Sequence, residues 1–377
     1  MHNFSLNRRR FIKNSAGAAA GITILSSLSQ NAFSATQRQS KIRFSVININ
    51  HPHIYGMVDA VTRGGGQLIS FYVKESDLAA AFAKKYPSAR QVQHQKEILE
   101  DNSIQLVLSS GIPVERAPLG IEVMKHGKDY LVDKPGIITL EQLAEVRRVQ
   151  KETNRKYIIM YSERLENKAT IKAGELVKAG AIGNVVQTIG LGPHRMNPAS
   201  RPEWFFDKKY YGGIITDIGS HQFDQFLFFT GSTKANIVCS QTGNVHYPQY
   251  PAFEDFGDAT IRGDQGTGYI RVDWFTPDAL NSWGDGRLTI LGTDGYIEIR
   301  KNIDIASNHK GGNHLYMVNQ KETKYIDCNN GTLPFGEQFV NDIINRTETA
   351  MTQEHCFLAT ELALLAQKNA QKLDFKK

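Results

Sequence analysis

From Ile42 to about residue 160 the chain alternates short apolar runs with amphipathic ones, and this rhythm narrows the possible folds more than any other feature. "IRFSVINI", "GQLISFYV", "SIQLVLSS", "KDYLVDKPG" and "KYIIMYS" read as strands. "YGMVDAVTRG", "SDLAAAFAKKY", "PVERAPLGIEVMKHG" and "TLEQLAEVRRVQKET" fall between them with helical spacing. Strand–helix–strand repetition of this kind predicts a doubly wound parallel sheet with right-handed crossovers, which binds ligands at the carboxyl ends of its strands.

Past residue 160 the rhythm changes. One helix, "KATIKAGELVKAGAIG", precedes extended runs: "VVQTIGLG", "ANIVCSQTGNV", "GDATIRG", "GYIRVDWF", "RLTILG" and "GYIEIR". Gly and Asp turns separate most of them, as in an open, mainly antiparallel sheet. A helix over "EHCFLATELALLAQKNAQKL" closes the chain and is expected to pack back on the N-terminal domain. The expected fold is α/β plus α+β. Residues 41–160 form a Rossmann-type dinucleotide-binding domain, and 161–377 an α+β domain for substrate and oligomerisation. An open sheet with one uncovered face predicts a homo-oligomer.

Charge sharpens the picture. The net charge is +6, but Arg8, Arg9, Arg10 and Lys13, with no acid before residue 35, supply +4 of it. The remaining +2 leaves no electrostatic footprint for nucleic acid. "NRRRFIKN" ahead of "AGAAAGITILSSL" and the small residues "AFS" is similar to a twin-arginine export signal over residues 1–34. That apolar run is too short to span a bilayer, and no later one reaches spanning length. An exported, periplasmic protein with no membrane partner after signal cleavage is therefore expected. Cys239, Cys328 and Cys356 show no metal or redox spacing and read as core or surface thiols; no metal site is expected.

Two stretches carry chemistry. In "VDKPG", Lys134 follows a strand at the ligand-binding edge, where the alternative is a solvated surface turn. In "YYGGIITDIGSHQFDQF", a helix beginning near Asp217 would stack Asp217, His221 and Asp224 on one face. An imidazole beside a carboxylate makes a general base near neutral pH, against the alternative of a helix cap and a core histidine.

A β-α-β half, a Lys-Pro after its strand "KDYLVD", and Gly-Gly-x-x-x-Asp-x-Gly-x-His before an open sheet together resemble the Gfo/Idh/MocA family over essentially the whole mature chain. The resemblance implies an oxidoreductase that uses NAD or NADP on a sugar, polyol or related small-molecule carbohydrate. It implies that Lys134 positions cofactor and substrate hydroxyl, and that His221 takes or gives the hydroxyl proton. Asp217 would orient that histidine or bind a neighbouring hydroxyl. Asp133 stands where the family more often has Glu. His194, Arg195, Trp204 and Tyr161 are weaker candidates for the substrate cleft.

The cofactor turn is unusual. In "SVININHPHIYG" the three positions of the fingerprint G-x-G-x-x-G are Asn48, Asn50 and His53. Asn48 tolerates the positive φ of the first glycine. Asn50 has to contact the phosphate through its amide or hold it further away. His53 is expected to keep the helix off the sheet, while His51 and His53 add donors to the helix N-terminus. Lys74 stands near the usual ribose-binding acid and would suit a 2′-phosphate, with Glu75 a late substitute. Pro113 follows the fourth strand. Two other functions use the same residues: an NAD-dependent glycoside hydrolase or lyase acting by transient oxidation and elimination, and a non-catalytic sugar-binding protein with a decayed nucleotide site.

Overall fold

Strands β1 (Ile42–Ile47), β2 (Gly66–Tyr72), β3 (Arg90–Gln91), β4 (Leu106–Ser109), β5 (Asp129–Asp133) and β6 (Tyr157–Met160) pair in parallel in the order β3-β2-β1-β4-β5-β6. This computed structural model describes residues 41–374, so the expected signal segment lies outside the described residues. Strands β4, β5 and β6 are buried throughout, as a sheet covered on both faces requires. The crossovers carry α1 (His53–Arg63), α2 (Ser76–Lys85), α3 (Gln95–Leu99), α4 (Pro113–Lys125) and α5 (Leu140–Thr153). Their ends follow local chemistry: the Thr139 hydroxyl accepts the Gln142 N–H at 3.1 Å, and Asn154 closes α5 with φ 52°. Strand β3 and helix α3 are additions to the expected pattern, too short to show a period. Strand order reverses between β1 and β4, which opens a crevice at their carboxyl ends.

The second half contains α6 (Ser162–Leu165), α7 (Lys168–Lys178), β7 (Val185–Pro193), α8 (Lys208–Tyr211) and α9 (Ser220–Thr230). Strands β8 (Ala235–Gly243), β9 (Phe256–Gly263), β10 (Thr267–Asp273), β11 (Arg287–Gly292), β12 (Gly295–Arg300), β13 (His314–Asn319) and β14 (Thr323–Asp327) follow. Helices α10 (Phe335–Asn345) and α11 (Gln353–Lys368) and strand β15 (Gln371–Lys372) complete it. The sheet runs β14-β13-β12-β11-β7-β10-β9-β8-β15 and is antiparallel except where β7 meets β10 and β8 meets β15. Alternate residues, such as Leu288, Ile290, Ile297 and Ile299, point into the core. Val186, Val238, Leu291 and Tyr296 are exposed.

Helix α11 ties the halves together. The Gln353 side-chain amide bonds both the N–H and C=O of Tyr157, at 2.9 and 2.7 Å, and Cys356 Sγ accepts the Ile159 N–H. These bonds satisfy backbone groups that edge strand β6 would otherwise leave unpaired. The hydrophobic core is continuous from the parallel sheet through α9 and α11 to β9 and β10. All three cysteines are free. Among the described residues no helix is long and apolar enough to cross a membrane.

Candidate active site

Lys134, immediately after β5, donates from Nζ to Asp217 Oδ1 at 3.0 Å, across 83 residues of sequence. Both are largely withdrawn from solvent, with side chains 6% and 14% exposed. The local chain explains how Asp217 arrives there. Gly212 ends α8 with φ 89°, and Gly213 follows with φ 93°, both in the region that disfavours side chains. A π-helical turn, Ile215–Gly219, then leads into α9. The sequence expectation of one regular helix from Asp217 therefore needs correction. The wide turn breaks the 3.6-residue period, and the three residues expected on one face go to separate places. Asp217 meets Lys134. Asp224 is buried under a two-bond grip by Arg164, both at 2.7 Å, and accepts from His355 at 2.8 Å.

His221 is 2% exposed and its Nδ1 has no partner among the described residues. Its carboxylate neighbour is Glu163 rather than Asp217. Burial pushes the imidazole pKa down to about 3, against the pull of Glu163 and with a further push from Lys134. Glu163 stays ionised because Lys301 binds it, although burial alone would raise its pKa. His194 is likewise lowered, to about 4, by burial and then by Lys134. Both rings are neutral near pH 7 and can accept a proton. Tyr161 turns its hydroxyl to Thr360, 3.0 Å away, and stands behind His221 with its ring edge toward it. It does not line the cavity, which corrects its assignment to the cleft.

At the glycine-poor turn, Asn48 adopts φ 60°. The turn is stitched to the end of β4: Ser110 donates its N–H to the Asn48 carbonyl at 3.1 Å and its hydroxyl to the His51 carbonyl at 2.7 Å. Asn50 Nδ2 donates to Glu75 Oε1 at 2.8 Å, while Glu75 Oε2 is buried without a partner among the described residues. Lys74 instead leans toward exposed Glu115, with Nζ 3.9 Å from its carboxylate. The His53 ring swings to Asp133, with Nδ1 2.9 Å from Oδ1.

Asp133 anchors this corner. It takes His53 on one oxygen, while Arg116 Nη2 (3.2 Å) and His51 Nδ1 (3.4 Å) approach the other. Burial alone would raise its pKa, yet His53 and Arg116 hold it well below the usual carboxylate range. His51, His53 and Asp133 bring ligand-type atoms within 4.8 Å of one another, a cluster that sequence spacing did not foresee. A cation there would have to displace Arg116, whose buried guanidinium also donates to the carbonyls of Gly111, Asp133, Lys134 and Pro135. The set is therefore built to orient two imidazoles at the N-terminus of α1, where His51 Nδ1 also accepts the His53 N–H at 3.4 Å.

Between this corner and the second half lies a cavity of about 320 Å³. Its walls include His51, Pro113, Lys134, His194, Trp204 and Asp217. Arg195 is not among them; its guanidinium binds Asp278 and the carbonyls of Leu280 and Ser282, so it braces a loop instead. Sequence reading missed Arg116, Glu163, Arg201, Trp274 and Trp283. Arg201 sits in the stretch "RPEWFFD" that supplied Trp204, and Glu163 in the stretch "YSER" that supplied Tyr161, but the others carry no local signal.

Residues 170–298 match the GFO/IDH/MocA C-terminal domain. The structure is similar to that of a candidate oxidoreductase from Erwinia carotovora atroseptica SCRI1043, with 46% identity and a TM-score of 0.85, covering 88% of this chain and 100% of that one. The chain belongs to the GFO/IDH/MocA family of oxidoreductases. This family member is also similar to two curated proteins of Bacillus subtilis (strain 168). The scyllo-inositol 2-dehydrogenase (NADP(+)) IolW is 28% identical over 156 residues, 40% of this chain and 42% of that protein. The scyllo-inositol 2-dehydrogenase (NAD(+)) is 24% identical over 268 residues, 69% of this chain and 74% of that protein. The chain thus spans less than half the length of the first of these relatives.

Proposed function

We propose that this protein moves a hydride between NAD and a hydroxyl-bearing carbon of a carbohydrate or polyol. The observation that carries the reading is the Lys134–Asp217 pair, contributed by the two halves of the chain and meeting in the crevice of the parallel sheet. The residues around that crevice suit a dinucleotide. Asn48 makes the left-handed turn, the N-terminus of α1, flanked by His51 and His53, presents its positive dipole end to a pyrophosphate, and Glu75 keeps one oxygen free for a ribose hydroxyl. That free carboxylate oxygen favours NAD, since it would repel a 2′-phosphate, and Lys74 is turned elsewhere. The two Bacillus relatives, one for each cofactor, support the polyol class.

Bound at this edge, the nicotinamide supplies the hydride acceptor or donor. Lys134 holds the substrate oxygen and stabilises negative charge developing on it. Asp217 fixes the ammonium in place. Neutral His221, buried and not itself among the cavity's lining residues but with Nδ1 unpartnered among the described residues, takes the hydroxyl proton, helped by the nearby charge of Glu163. Export through residues 1–34 belongs to the same proposal and rests on sequence alone; a mature N-terminus upstream of Arg8 would refute it. The apolar open face with Val186, Val238, Leu291 and Tyr296 suits a homo-oligomer, which light scattering checks.

Calorimetric titration tests the cofactor. NAD⁺ should bind at least about tenfold tighter than NADP⁺, and Glu75→Ala should erase most of that gap. A panel of polyols and sugars should then yield reduced nicotinamide. Absence of dinucleotide binding refutes the function, and glycoside turnover with no net change in nicotinamide would favour the route through transient oxidation.

A further inference from the structure

Charge around the cavity does not cancel. Arg116 is matched by Asp133 and Lys134 by Asp217, but Arg201, which also lines the cavity, has no carboxylate partner among the described residues. Its Nε donates to the Met196 carbonyl at 3.0 Å and its Nη2 to the Arg195 carbonyl at 3.3 Å. Its guanidinium lies over the rings of Phe205 and Trp274, 4.6 and 5.1 Å from their centroids. Those contacts engage Nε, Nη2 and the guanidinium face, and leave Nη1 with no hydrogen-bond partner among the described residues. Burial disfavours its charge, and Asp217 offsets this in part. A guanidinium held by carbonyls and aromatic faces, on a residue that lines a small-molecule cavity and with one nitrogen unbonded among the described residues, is arranged to receive an anion.

We propose that Arg201 binds the carboxylate of an acidic carbohydrate, of the uronic or aldonic acid type, and so selects the substrate of the oxidoreductase described above. The proposal rests on that reading for the carbohydrate, but the argument for the anion does not. One unmatched cation and one free nitrogen suit a single negative charge better than the doubly charged phosphate of a sugar phosphate. Arg201 belongs to the loop after β7, beside Trp204 in the cavity wall, whereas Asn48 and Glu75 follow β1 and β2 and are not among the cavity's lining residues; the start of α1 borders the same cavity from the opposite half of the chain. Trp204 and Trp274 add flat faces for a sugar ring.

The chain holds three tryptophans, Trp204, Trp274 and Trp283, and all line this cavity. Intrinsic fluorescence therefore reads it directly, without turnover. The full chain is titrated with D-glucuronate and D-galacturonate, and with D-glucose and D-galactose, with and without saturating NAD⁺. At least one uronate should bind about tenfold or more tighter than its neutral counterpart, corresponding to about 1.4 kcal/mol. Arg201→Gln should remove that preference, and Arg201→Lys should retain part of it if the glutamine variant fails to fold. Equal affinities for uronate and neutral sugar, including no response to either, would overturn the proposal. So would a preference that survives loss of the guanidinium, competition between uronate and NAD⁺, or tighter binding of D-glucose 6-phosphate. A protein that selects uronates yet never binds or reduces NAD⁺ would refute the oxidoreductase reading and leave the anion site standing.

Discussion

Replacing Lys134 by methionine removes the cation from a largely buried ion pair, and its cost follows from what remains. The Asp217 carboxylate, 14% exposed, loses the ammonium 3.0 Å away and keeps only partial access to water. Stripping one partner from a fully buried pair costs about 3–5 kcal/mol, and this pair borders a cavity, so about 1–3 kcal/mol is expected. Unfolding entropy of about 2.1 cal/mol/K per residue, over about 330 residues, converts that to a drop of about 1.5–4 °C in Tm. Asp217→Asn should cost a similar amount by leaving the ammonium alone. The double variant should cost no more than either single change, because no unpaired charge is left. The coupling read from this cycle should be about 1–3 kcal/mol. Thermal melts followed by circular dichroism supply the stabilities, and NAD⁺-dependent turnover supplies the rates. Turnover should fall about 10²-fold or more in each single variant, and the double should fall little further. Additive losses of stability, or a Lys134→Met enzyme within tenfold of the parent rate, would refute the pairing and its role.

His221 should make the protein sensitive to acid. Its ordinary pKa near 6.5 applies to the unfolded chain and about 3 to the folded one, so between these values only the unfolded chain takes up the proton. Stability should therefore fall as pH drops from 6.5 toward 3, by about 1.4 kcal/mol per pH unit from this residue, and His221→Gln should flatten that slope in melts run across the range. An unchanged slope would mean that the ring is not held neutral. Arg116→Met should be severe, since it takes a donor from four carbonyls and leaves the buried Asp133 carboxylate with only His51 and His53; about 3–5 kcal/mol is expected, read as a Tm lower by about 4–7 °C. A melt unchanged from the parent would remove Arg116 as the brace of the β4–β5 corner.

What local order dictates was legible in the chain. Apolar strands alternating with amphipathic helices announce a parallel sheet, and the position of Lys134 just past β5 places it at the binding edge before any coordinates are known. Asn48 could be read as the left-handed turn residue because an asparagine side chain tolerates that conformation wherever it occurs. The fate of Asp217 could not be read. Its partner depends on a glycine pair and a wide turn that rotate it away from His221. Glu75 likewise shows its spare oxygen only once Asn50 has taken the other.

Strand period, turn chemistry and motif spacing depend on a few neighbouring residues, so sequence alone determined the architecture and brought Lys134, Asp217 and His221 into consideration. Which charges cancel was decided only by the tertiary structure. Arg116 finds Asp133 and Lys134 finds Asp217, while Arg201 lies among carbonyls and rings with no acid at hand. Such pairings join segments far apart in the chain, and electrostatic energy depends on distance in space, which residue order does not record.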